Sequence, residues 1–92
     1  MNDRQLYQKK MQAQLDEWKA EAARLQAKAA QSDADAQLKA RAQARKLDER
    51  IEAGHTKLRE VADTGDDRWE SVKDGNESAW NNLKEAVHDA TR

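Results

Sequence analysis

The larger apolar residues of this chain advance in steps of three and four along almost its whole length. The stripe runs through Tyr7, Met11, Leu15, Trp18, Ala22, Leu25 and Ala29. It continues through Ser32, Ala36, Ala40, Ala44, Leu47, Ile51, Gly54, Leu58 and Val61. Steps of that size keep side chains on one face of an α-helix. The stripe resumes in a repeated phrase, Trp69-Glu70-Ser71-Val72-Lys73 and then Trp80-Asn81-Asn82-Leu83-Lys84, whose tryptophans are eleven residues apart. Eleven residues make three turns, so Trp69 and Trp80 share a face too. Heptad-like and eleven-residue steps together average about 3.6 residues per turn, which predicts nearly straight helices with little supercoil. The chain reads as all-α, a solvated helical protein with a narrow apolar seam.

Composition limits how thick a core that seam can build. Apolar residues are 37% of the 92, but 17 of these 34 are Ala, with no Phe and one Ile. A chain of this length is at most one small domain, residues 1–92, and it cannot wrap a thick globular core. Charged residues reach 38%, as in coiled coils and long helices. Pro is absent and the net charge is −1, which argues against disorder. There is no Cys, hence no disulfide framework and no thiolate metal site. The first twenty residues carry Asp3, Arg4, Lys9, Lys10, Asp16 and Glu17 with no apolar run between them. That pattern predicts neither a signal peptide nor a membrane span, and a cytoplasmic location follows as the default.

The stretch Asp63-Thr64-Gly65-Asp66-Asp67 supplies what a helix end needs. Gly65 can take the left-handed conformation that ends a helix, Thr64 or Asp66 can cap the next, and the acids suit its positive N-terminus. Ser32-Asp33-Ala34-Asp35 resembles a cap, but with no Gly or Pro there the sequence favours an uninterrupted helix. Asp74-Gly75-Asn76 is a weaker break, because the Trp stripe continues through it. The expected fold is therefore a long amphipathic helix over about 3–62, a hinge at about 63–66 and a shorter helix over about 67–90. At 1.5 Å per residue the first helix would extend roughly 90 Å. A hairpin at the hinge sets Val61 opposite Trp69, Leu58 opposite Val72, Gly54 opposite Asn76 and Leu47 opposite Leu83.

Such a hairpin or coiled coil leaves residues 1–38 unpaired, and an isolated amphipathic arm is poorly stable. The arms are expected to pair between chains, in a bundle of two or four copies. An antiparallel dimer with Trp18 near its twofold axis would place Tyr7 against Ala29 and Met11 against Leu25. Leu6 and Leu38 lie off the stripe and hint at a second contact face. The candidate helix–helix interface is Trp18, Leu25, Leu47, Ile51, Leu58, Val61, Trp69, Val72, Trp80, Leu83 and Val87. Its three tryptophans should carry most of the energy, since buried aromatics dominate such contacts.

Catalytic chemistry is nearly absent. Glu52 with His55 and Glu85 with His88 have the Glu-x-x-His spacing of di-iron bundles, but those need further Glu residues converging from other helices. Both pairs lie off the apolar stripe, so they read as solvated histidines and no metal or cofactor is expected. No Ser, Cys and His arrangement suggests nucleophilic catalysis, and the three glycines are isolated rather than gathered in a phosphate loop. No small-molecule substrate is evident. Basic residues are scattered among acids, and residues 66–92 carry 4 basic against 7 acidic side chains. Nucleic-acid binding, which needs a basic footprint, is not expected.

The phrases Gln14-Leu15-Asp16-Glu17-Trp18, Trp69-Glu70-Ser71-Val72-Lys73-Asp74-Gly75 and Glu77-Ser78-Ala79-Trp80-Asn81-Asn82-Leu83-Lys84-Glu85-Ala86 resemble a set of small, mainly bacterial coiled-coil proteins described as hypothetical or as stress-response proteins. The similarity runs from about Tyr7 to about Ala90. It implies a soluble helical bacterial protein with a role in stress, and transfers no catalytic residue and no defined partner. The family pattern often has Ala at Gly54 and an apolar residue at Asn76, so these departures imply weaker packing in the seam. The eleven-residue pattern of the C-terminal helix also resembles that of exchangeable apolipoproteins, which lie on lipid.

Two functions are thus expected in order. The first is a non-enzymatic structural or interaction protein that self-associates through its Ala/Leu/Trp seam, or binds another helical protein. The second is reversible binding of a membrane surface by residues 66–91. Interfacial helices usually carry Lys and Arg on the polar face, whereas this one is acidic.

Overall fold

A computed structural model describes residues 2–91 of the chain, and the described residues form three helices. Helix α1 spans Asp3–Ala30, α2 spans Ala34–Asp63 and α3 spans Asp66–Ala90. The all-α expectation holds. The single helix expected over 3–62 does not, because residues 31–33 divide it in two.

Local chemistry accounts for each boundary. A capping box opens α1: the Asn2 side chain accepts from the Gln5 backbone N–H at 2.9 Å, and the Asn2 N–H donates to Gln5 Oε1 at 3.1 Å. Two of the orphan donors of the first turn are thereby satisfied. The Ser32-Asp33 pair then acts as the cap that the sequence hinted at. Asp33 Oδ1 accepts from the Ala36 N–H at 2.9 Å, Ser32 Oγ donates to the Lys28 carbonyl at 2.8 Å, and Gln37 donates to the Ser32 carbonyl at 2.8 Å. Side-chain bonds of this kind end one helix and start another without Gly or Pro. At the second turn Thr64 and Gly65 are extended, so Gly65 is not left-handed as expected, and Gly65 rather than Thr64 or Asp66 is the N-cap of α3. Asp66 and Asp67 stand in its first turn, where the dipole favours acids. Helix α3 runs through Asp74-Gly75-Asn76 without a break.

Two chain reversals fold the helices side by side into a body of 53 × 20 × 16 Å. The most extensive packing is between α1 and α2. Helix α3 lies on α2, and its backbone barely approaches α1. The three helices share one core built from Met11, Leu15, Trp18 and Ala22 of α1, Leu47, Ile51 and Val61 of α2, and Trp69, Trp80, Leu83 and Val87 of α3. The arm over residues 1–38 therefore finds its partner within the chain. Tyr7 and Trp18 face Trp69 and Trp80 rather than the expected dimer partners.

Gly54 is not the weak point that its departure from Ala implied. It is buried where all three helices meet. A Cβ there would stand 2.6 Å from a Leu15 methyl and 3.4 Å from both Leu83 Cδ2 and the Trp18 ring. The missing side chain is the space those residues occupy. Gly54 was expected opposite Asn76 and Leu83 opposite Leu47, whereas a Leu83 methyl comes to 3.4 Å from the Gly54 Cβ position. Asn76 is half-buried and donates to the Val72 carbonyl at 3.0 Å, so its amide is turned onto its own helix.

Candidate functional site

The eleven residues expected to form a helix–helix interface come together inside one chain. Trp18, Leu47, Ile51, Val61, Trp69, Trp80, Leu83 and Val87 are buried, and Leu25, Leu58 and Val72 pack half-buried against them. The off-stripe residues Leu6 and Leu38 remain 51% and 65% exposed. They are not part of the core.

The most ordered feature is the side where α1 and α3 run parallel. Here aromatic rings rather than backbones fill the gap. Tyr7 meets Trp69 with ring centroids 5.3 Å apart and tilted by 46°. Trp18 stacks on Trp80 at 5.1 Å and 22°. Arg4 Nε donates to Asp66 Oδ1 at 2.7 Å. All three pairs join residues 62 positions apart, so the two helices are in constant register. Trp80 Nε1–H also donates to Gln14 Oε1 across the same gap. A buried indole N–H needs such a partner, and Gln14 supplies it.

Arg4 and Gln14 were not among the residues singled out from the sequence. Of the two, Arg4 leaves a trace in the spacing, readable only once α1 and α3 lie side by side. Tyr7 and Trp18 are eleven residues apart, as are Trp69 and Trp80, and each leading aromatic has an oppositely charged residue three positions earlier, Arg4 and Asp66. A matched ladder of two helices is written in that spacing.

Electrostatics follow the contacts. The hydrogen bond from Arg4 holds the Asp66 carboxyl below its usual value near 3.8. Arg4 Nη1 also reaches the carbonyls of Val61 and Ala62 at 3.5 and 3.4 Å at the end of α2, where the Val61 carbonyl already accepts from the Thr64 N–H at 3.2 Å. The Tyr7 hydroxyl is buried with no hydrogen-bond partner among the described residues. Burial, and next the charge of Glu77, push its pKa above 10. Two shallow cavities along the α1–α3 side are larger than the one between Arg4, Asp66 and Trp69. One of about 300 Å³ is lined by Leu6, Tyr7, Lys10, Trp69 and Lys73 among others. The other, about 460 Å³, lies between Trp18, Glu21, Arg24, Lys84 and His88. Neither gathers a nucleophile, a base and an orienting group.

His55 is half-buried on α2 and His88 exposed on α3. Among the described residues no three His, Asp or Glu side chains come together where they could hold a metal ion, and no helix is long and apolar enough to cross a membrane. What the geometry offers is a helix-binding surface, the α1–α2 pair with its aromatic rungs, occupied by α3. Comparison with protein-family models, curated proteins and solved structures finds no match for this chain.

Proposed function

We propose that the chain is a non-enzymatic helical interaction protein whose activity is helix–helix association, with itself or with another helical protein. The observation that carries this reading is the concentration of its large apolar residues in one helix-binding seam. Tyr7, Trp18, Trp69 and Trp80 form a register-setting ladder there, while Leu6 and Leu38 are the large apolar side chains left exposed among the described residues. A register that repeats every three turns recognises helices of matching period and rejects others, which is how helical partners are selected.

Support against the lipid alternative comes from the same burial. Trp69, Trp80, Leu83 and Val87 are covered by α1 and α2, so α3 has no free apolar face to lay on a bilayer. The test is absolute mass by size exclusion with light scattering across a dilution series. A discrete assembly that persists to low micromolar supports self-association. Monomers throughout, with no helical partner recovered by cross-linking in the native cell, would remove the proposal.

A further inference from the structure

The two turns of the bundle are held in different ways. The turn at 31–33 is closed by its own residues, through Asp33, Ser32 and Gln37. The turn at 64–65 gives α3 no side-chain cap, because its N-cap is Gly65. Thr64 (φ −75°, ψ 128°) and Gly65 (φ −70°, ψ 152°) are extended, and no described residue has positive φ. Thr64 ends α2 locally, its hydroxyl donating to the Glu60 carbonyl at 2.7 Å and its N–H to the Val61 carbonyl at 3.2 Å, but what ties α2 to the start of α3 comes from the far end of the chain. Arg4 bonds Asp66 at 2.7 Å and reaches the Val61 and Ala62 carbonyls at 3.5 and 3.4 Å.

Those two carbonyls are the ones an unbroken helix would offer to the N–H groups of Gly65 and Asp66. The Thr64 N–H, which donates to the Val61 carbonyl at 3.2 Å, and Arg4, which reaches both carbonyls, together stand in for that continuation. The bent and straight hinges are thus alternative ways of satisfying the same backbone groups, a two-state element. Turning ψ of Thr64 and Gly65 into the helical range joins α2 to α3 in one helix of roughly 85 Å. Gly65 opposes the straight form, and so do Asp63, Asp66 and Asp67, which would then lie three and four residues apart on one face.

A straight hinge lifts α3 from its own α1–α2 pair and uncovers Leu15, Trp18, Leu47 and Ile51. The occupant shaped for that surface is the α3 of a second copy, which brings the same Trp69, Trp80, Leu83 and Val87 at the same spacing. We infer that two copies associate by exchanging α3 about the Thr64–Gly65 hinge, and that Arg4 is the latch holding the unexchanged form. This rests on the self-association reading and adds its route. Exchange at the other turn is opposed by its own caps and by the extensive α1–α2 packing. Exchange through a short hinge reuses the contacts of α3 with the α1–α2 pair and gives up only those of the bent hinge itself, so it needs no second interface.

The test compares wild type, Arg4→Ala and Gly65→Ala by light scattering over a dilution series. Ala at 65 tolerates the bent backbone, since its Cβ would meet only the mobile carboxylate of Asp67. Its helix preference should favour the straight hinge roughly five-fold per chain, or on the order of twenty-five-fold in the dimerisation constant. Arg4→Ala should shift it in the same direction. The chain has no Cys, and Lys10 and Lys73 line one cavity between α1 and α3. Lys10→Cys with Lys73→Cys, bridged by a short bismaleimide in the isolated dimer peak, should therefore run as a covalent dimer on a denaturing gel. A dimer whose bridges all stay within one chain overturns the exchange and leaves self-association standing. Monomers at every concentration in all three proteins overturn both.

Discussion

Gly54 and Gly75 both sit inside helices, yet the same substitution should act on them with opposite sign. At Gly75 a Cβ meets nothing within 4 Å. Gly75→Ala should therefore stabilise the fold by about 0.5–1 kcal/mol through helix propensity alone. At Gly54 that gain is opposed by a 2.6 Å contact with a Leu15 methyl, and Leu15 is fully buried. Overpacking costs about 1–3 kcal/mol, so Gly54→Ala should be neutral to destabilising. Urea denaturation of the two variants measures the contrast, and equal stabilisation by both would show that the three helices do not meet at Gly54. Tyr7 gives a second residue-scale expectation. Tyr7→Phe removes a buried hydroxyl without a partner and should raise stability by about 1 kcal/mol. Because the folded pKa of Tyr7 is raised, the unfolded chain releases its proton first as pH climbs past 10. Stability of the wild type should then fall with alkaline pH, and less steeply in Tyr7→Phe. At this scale the apolar seam was legible because each of its members lies on a three-or-four step. Arg4 and Gln14 were not, because polar residues beside a seam look solvated until the partner helix is in place.

Among the elements, the first turn is the clearest departure from the sequence pattern. Ala29, Ser32 and Ala36 continue the stripe without a gap, so periodicity alone joins α1 to α2. What separates them is one carboxylate and one hydroxyl, aided by the gain from folding α1 back on α2. Propensity is a weak prior when tertiary packing is available. Asp33→Ala should cost about 1 kcal/mol of stability, the usual worth of a helix cap, without abolishing the turn. Circular dichroism at 222 nm should stay nearly unchanged while the thermal midpoint falls. The second turn was legible, since Gly65 and its flanking acids mark it plainly. Its latch titrates. Asp66 is held below its ordinary value by Arg4, so the stability from that pair is present above about pH 4 and lost as pH falls through the lowered value. Wild type and Asp66→Asn should differ near neutral pH and converge at the acid end of a denaturation series. A difference that persists there would place the effect elsewhere than in the Arg4 pair.

For the molecule as a whole, the sequence suggested a helix of roughly 90 Å over 3–62, and the folded body is 53 Å in its longest direction. The difference comes from one extra reversal. It converts an arm that needed another chain into the first helix of a self-contained core. Internal burial also bears on lipid. Neither neutral nor anionic vesicles should alter the emission of Trp69 and Trp80 or their protection from a soluble quencher. A vesicle-dependent change would mean that α3 leaves the core for the bilayer.

The constant offset between α1 and α3 works as a ruler. Each rung of the ladder recurs after three turns, so the bundle can grow or shrink only in quanta of eleven residues per helix, about 16 Å at a time. Any other insertion in a single helix would turn its later rings away from their mates. Length is thereby a digital property of this architecture, while its cross-section, set at Gly54, is fixed.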